Sequence, residues 1–143
     1  MKTSIRLFLF LLAFASFMFS GCEPVDENTT GDDPRDSYVG EWQFIESFKS
    51  TEGQSYLVTI TKDAANSSQL ILGNFGNSGS QSISANGIVT SGQVVVSTQQ
   101  MSNGWTVEGT GVFTNVAKTQ MTWTYSITAG GDKVSYAANA TLQ

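Results

Sequence analysis

The chain predicts an all-β domain, a single eight-stranded antiparallel up-and-down barrel. Three observations predict it. From Ser37 onward apolar and polar residues alternate, and no stretch carries a helical period. Turn signals rich in Gly, Asn and Ser interrupt that alternation at regular intervals. The connections between them are too short for crossover helices, so neighbouring strands must pair antiparallel in chain order.

The clearest strand is the run Met121-Thr-Trp-Thr-Tyr-Ser-Ile-Thr128. Met121, Trp123, Tyr125 and Ile127 share one face, and the hydroxyl residues between them share the other. Eight strands follow from the same reading. The first, Val39–Phe48, ends at Thr51-Glu52-Gly53, and the second, Gln54–Lys62, ends at Asp63-Ala64-Ala65-Asn66. Gln69–Phe75 precedes the turn residues Gly76 to Gly79. Gln81–Asn86 and Ile88–Thr90 form one bent strand before Ser91-Gly92. Gln93–Thr98 and Trp105–Phe113 flank Ser102-Asn103-Gly104, while Thr119–Thr128 and Lys133–Leu142 flank Ala129 to Asp132. Eight strands of about nine residues and seven turns of about four need roughly 100 residues, which the segment 37–143 supplies. Closing the meander pairs its first strand with its last and removes both edges. A two-sheet sandwich uses the same alternation and stays open as the alternative.

The N-terminus carries a different signal. Lys2 and Arg6 precede an apolar run from Leu7 to Phe19, and Ser20-Gly21 leads into the only cysteine, Cys22. The run is short for a bilayer span and has the zones of a secretory signal peptide. Ser-Gly-Cys resembles the lipobox of bacterial lipoproteins, whose cysteine receives lipid such as palmitate and becomes the mature N-terminus. The expected organisation is a signal peptide over 1–21, a lipidated cysteine with an acidic disordered tether over 22–36, and the barrel over 37–143. Glu23, Asp26, Glu27, Asp32, Asp33 and Asp36 make that tether acidic, in a setting too poor in apolar residues to fold. Acids so close behind such a cysteine also resemble the surface-export signal of Bacteroidetes lipoproteins. The expected address is the outer membrane, lipid-anchored and surface-exposed.

Gly40-Glu41-Trp42 resembles the G-x-W motif that opens the first strand in lipocalins and other calycins. The longer string Asp33-Pro-Arg-Asp-Ser-Tyr-Val-Gly-Glu-Trp42 resembles the start of small lipocalin-like lipoproteins of Bacteroidetes. The resemblance implies an up-and-down barrel whose Trp42 closes one end, and a small hydrophobic ligand as partner. The family's basic residue beside that Trp has no direct match, Arg35 and Lys133 being the candidates.

Composition restricts the chemistry. Removing 1–21 loses two cations and no acids, so the net charge of −5 becomes −7. A nucleic-acid partner would need a basic face that the remaining cations cannot build. The chain has no histidine, and its one thiol is assigned to lipid. The commonest general base, the usual transition-metal ligand and the Cys nucleophile are thus missing together. A non-enzyme without cofactor or metal is expected, as a monomer. The ligand-binding candidates are the inward aromatics Trp42, Phe44, Tyr56, Trp105, Trp123, Tyr125 and Tyr136. Gly109, Gly111, Ala138 and Ala140 share their face and leave room for a pocket beside Trp123 or Tyr125. The plainer role of these aromatics is to fill the core. Counting by twos from Trp42 brings Glu46 inward, and a bulge that turns it outward in favour of Ile45 is expected instead. If the barrel is solid, loops Gly73–Ser80 and Met101–Gly104 are the expected docking elements.

Overall fold

The computed structural model describes residues 33–48 and 51–143. The expected signal segment, Cys22 and the tether up to residue 32 lie outside them. The eight strands are β1 (Gly40–Phe48), β2 (Thr51–Lys62), β3 (Gln69–Gly73), β4 (Ser84–Thr90), β5 (Gln93–Gln100), β6 (Thr106–Phe113), β7 (Gln120–Ala129) and β8 (Asp132–Leu142). Each pairs antiparallel with its sequence neighbours, and β1 also pairs with β8. Trp42 sits opposite Val58 on one side and Leu142 on the other. The meander is therefore a closed barrel, and the sandwich alternative is set aside. Two hairpins are as tight as the sequence allows. Ser91-Gly92 and Gly130-Gly131 both take positive φ at their two central residues, the geometry that matches strand twist.

Strand bounds differ from expectation where side chains outside strands are buried. Phe75 belongs to the loop after β3, yet it is wholly buried over the core. The expected turn at 51–53 is instead part of β2. There Ile45 pairs with Ser55 but Ser47 pairs with Glu52, so Gly53 and Gln54 together oppose Glu46. The bulge lies on β2 and leaves the alternation of β1 intact. Glu46 consequently points inward with 8% of its surface exposed, while Ile45 is 45% exposed. This corrects the expected outward Glu46. The two strands approach closely at Gly53, where a Cβ would lie 2.8 Å from the Glu46 carbonyl oxygen.

The odd-numbered connections rim one end of the barrel, and the even-numbered ones and the entering chain share the other. That second end is closed by residues expected to belong to the tether. Asp36 and Tyr38 donate their amides to the carbonyls of Asp33 and Arg35, which makes a compact turn of 33–38. Arg35 is buried, and its guanidinium donates to the carbonyls of Asp63 and Asn66 in the β2–β3 connection, at 3.1 and 2.9 Å. Asp33 holds the other side of the guanidinium through Nε and Nη2. The ion pair and the hydrogen bonds from Arg35 keep the Asp33 carboxyl below the usual range. Tyr38 stacks on Phe113 at 4.5 Å, and its carbonyl accepts the indole N–H of Trp42 at 2.8 Å. The described fold thus includes Asp33 to Asp36, which the sequence assigns to the tether.

The interior is full. Trp42, Phe44, Phe75 and Trp123 are essentially without exposure. Trp123 packs against Phe44 at 5.8 Å and Phe75 at 5.3 Å between ring centroids. The small residues expected to open a pocket make room for these rings. Gly111 and Ala138 flank Trp123 in the ladder, and Gly109 faces Tyr125. A Cβ on Gly111 would fall within the indole of Trp123, and one on Gly109 would lie 2.5 Å from the Tyr125 Cβ. The expected cavity beside Trp123 is therefore occupied by Trp123 itself. Its Nε1 is buried without an acceptor. Such a donor costs about 1–3 kcal/mol, which the ring's apolar burial outweighs.

Gly111→Ala should destabilise the barrel by about 1–3 kcal/mol through overpacking. Adding Trp123→Leu should then cost less than the same change in the parent chain, because the new methyl takes part of the vacated volume. Urea unfolding of the four-member cycle checks this, and additive effects would show that Gly111 and the indole do not compete for space.

Candidate functional site at the barrel mouth

With the lumen filled, concave surface remains outside it. The larger groove, about 770 Å³, lies open on the outer wall of β5 to β8. Its centre is Glu108, opposite a second bulge at Ser97-Thr98. The Glu108 carboxylate accepts from Lys133 at 2.5 Å, Thr98 at 2.5 Å and Ser126 at 3.1 Å. Lys133, Thr98 and Ser126, in that order of effect, lower its pKa to about 2. A carboxylate already engaged three times ties four strands together and offers little to a ligand.

A smaller cleft, about 290 Å³, sits at the mouth, at the end remote from the entering chain. Ile127, Ala129 and Val134 form its apolar wall, Trp105 and Tyr136 supply half-buried aromatic faces, and Gln54, Asn77 and Asp132 stand around its rim. Glu46 forms part of its floor. β1 delivers Glu46 there because the row Trp42, Phe44, Glu46 continues inward past the β2 bulge. β7 brings Tyr125 opposite Tyr136 of β8, and their rings stack at 5.3 Å with 17° between planes. Phe75 packs on Tyr125 at 5.1 Å. Held in this way, the Tyr125 hydroxyl donates to Glu46 Oε1. The Tyr56 hydroxyl lies 2.9 Å from the Tyr125 oxygen, to which it donates. Tyr56, Tyr125 and Glu46 form one buried relay beneath the cleft. Burial first, and then the charges of Glu46 and the neighbouring ring, push both phenols well above their ordinary value.

The seven aromatic candidates divide by depth. Trp42, Phe44 and Trp123 lie in the core with essentially no exposed surface. Tyr56 and Tyr125 lie beneath the cleft, where Tyr125 fixes Glu46. Trp105 and Tyr136 reach the cleft itself. Asp132, Gln54 and Asn77 were missed. Asn77 and Gln54 meet across the rim at 2.5 Å, a contact between residues 23 apart that has no sequence signal. Among the described residues no group of three Asp, Glu, Cys or His stands close enough to hold a metal ion. No family model and no curated protein matches the chain.

The buried phenols fix a pH dependence. Below pH 10, the ordinary phenol value, Tyr56 and Tyr125 are protonated in both folded and unfolded chains and cost nothing. Above it the unfolded chain releases protons that the fold retains, so stability should fall by about 1.4 kcal/mol per pH unit for each of the two. Tyr56→Phe should reduce that slope by one group's share in alkaline denaturant titrations. Phenolate absorbance from these two rings should rise only with unfolding; a rise in the intact barrel would contradict their placement.

Proposed function

We propose that this chain is a lipid-anchored envelope protein whose lipocalin-like barrel captures a small amphipathic ligand, without catalysis, at its open mouth. The carrying observation is the cleft in which two half-buried aromatic faces flank a carboxylate that is nine-tenths buried. Ligand pockets combine apolar walls with a few fixed polar groups, and this one does so at the small end of their size range. The filled lumen narrows the expected hydrophobic cargo. A long acyl chain or a haem has no interior to enter, whereas a single ring with a polar group fits. Tyr125 and Tyr56 keep the carboxylate in place before any ligand arrives, which limits the ordering cost of binding.

The anchor reading rests on Lys2, Arg6, the apolar run and Ser20-Gly21-Cys22. More than one acyl chain on Cys22 would give stable attachment. The solid interior also favours a second reading, in which the barrel docks a protein or glycan through its rim loops. Loop 74–83 and residues 101–105 would carry that contact.

Two outcomes are expected. Cys22→Ser should move the protein from the membrane fraction to the soluble fraction, and unchanged membrane retention would remove the anchor. In a tryptophan fluorescence titration, small amphipathic aromatics should give a saturable change that Trp105→Phe abolishes, while long-chain fatty acids and haem give none. A flat response to every small compound, with envelope partners captured through loop 74–83, would replace ligand capture by the docking reading.

A further inference from the structure

We infer that the mouth cleft selects a cation, namely a small organic amine with a flat or short apolar body. The inference rests on the reading of the cleft as a ligand site and adds the charge of the ligand. Two carboxylates line the cleft, Glu46 from its floor and Asp132 from the start of β8, and among the described residues no lysine or arginine lines it. The described cations are engaged elsewhere. Arg35 pairs with Asp33, and Lys62 pairs with Asp33 and Asp36, all at the closed end. Lys118 donates to the Ser37 hydroxyl, and Lys133 pairs with Glu108 on the outer wall. Glu46 receives the Tyr125 hydroxyl, a neutral donor, at its Oε1.

Occupancy by different ligands has different electrostatic consequences. An anion entering the cleft would face two like charges. A neutral apolar ring would strip further water from Glu46 and bring no opposing charge. An ammonium group would gain Coulomb attraction in a setting less polar than bulk water. It would also lie against Trp105 and Tyr136, whose faces attract cations. Its apolar body would cover Ile127 and Val134. A divalent metal ion is a poorer match, because hard cations take six or more oxygen ligands and the cleft supplies two carboxylates.

Benzylamine, benzyl alcohol and phenylacetate share nearly one shape and differ in charge, so they test this on the full mature protein by tryptophan fluorescence. Benzylamine should bind at least about tenfold tighter than the alcohol, with phenylacetate weakest, a gap of about 1.4 kcal/mol. Added salt should weaken the amine and leave the alcohol unchanged. Glu46→Gln should bring amine and alcohol within about threefold of each other. Asp132 is exposed, so Asp132→Asn tests the same preference without disturbing the core, and should reduce it. Lys49 lies outside the described residues, and Lys49→Met should leave the preference in place. Equal binding of amine and alcohol, or tighter binding of phenylacetate, would overturn charge selection and leave the cleft as a ligand site. Silence from all three compounds at saturating concentration would overturn both.

Discussion

An eight-stranded barrel encloses little more than its own inward side chains, and in this chain four large aromatic residues, Trp42, Phe44, Phe75 and Trp123, lie wholly buried in it. Trp123 decides the arrangement. Its indole lies over Gly111, is bordered by Ala138, and meets Phe44 and Phe75 at ring-to-ring distances under 6 Å. Every small residue on the inner face of β6 and β8 is matched by a ring that needs the space. The close packing stabilises a domain that cannot cross-link itself, since the chain's only cysteine lies before it. It also removes the deep cup that an alternating aromatic face brings to mind.

A filled lumen moves the chemistry to the ends, and the two bulges decide where it goes. Each bulge sits opposite a glutamate. On β2, Gly53-Gln54 opposes Glu46, and on β5, Ser97-Thr98 opposes Glu108. The neighbours of each carboxylate then set its character. Glu108 looks outward, finds Lys133, and becomes a firmly ionised strand tie. Glu46 looks inward, finds the tyrosine relay, and forms the floor of the mouth cleft. One backbone device serves a strand-tying carboxylate and a cleft-lining carboxylate in the same barrel.

The fold was legible because a period of two survives in any half-buried strand, and because short connections leave antiparallel pairing as the sole option. All eight strands stand where the alternation puts them, with bounds shifted by a few residues. What was not legible depended on pairing partners. The alternation of β1 correctly brought Glu46 inward, but a bulge on β1 was expected to turn it out, when the glycine that marks the bulge was Gly53 on the opposite strand. Gly109 and Gly111 showed small size but not which ring would lie over them, since Tyr125 and Trp123 meet them only through β6–β7 register. Arg35 read as tether because its acidic neighbours are polar. Its burial comes from backbone carbonyls some thirty residues away, and carbonyl acceptors leave no mark in a sequence.

The distribution of charge argues that the mouth is more than a leftover surface. Residue 46 continues the inward row of Trp42 and Phe44, where a leucine would bury apolar area without any desolvation cost. A carboxylate there loses water, and the hydroxyl that it receives from Tyr125 is neutral, which is a poor route to stability. Tyr125 and Tyr56 add buried hydroxyls where phenylalanines would pack as well. Three polar groups therefore share one end of a barrel whose other inner positions are almost entirely apolar. The closed end, by contrast, uses its charges structurally, with Arg35 and Lys62 neutralising Asp33 and Asp36 around the entering chain. Packing explains the closed end completely. It does not explain Glu46, Tyr125 and Tyr56, whose arrangement makes physical sense when something of complementary charge settles above them.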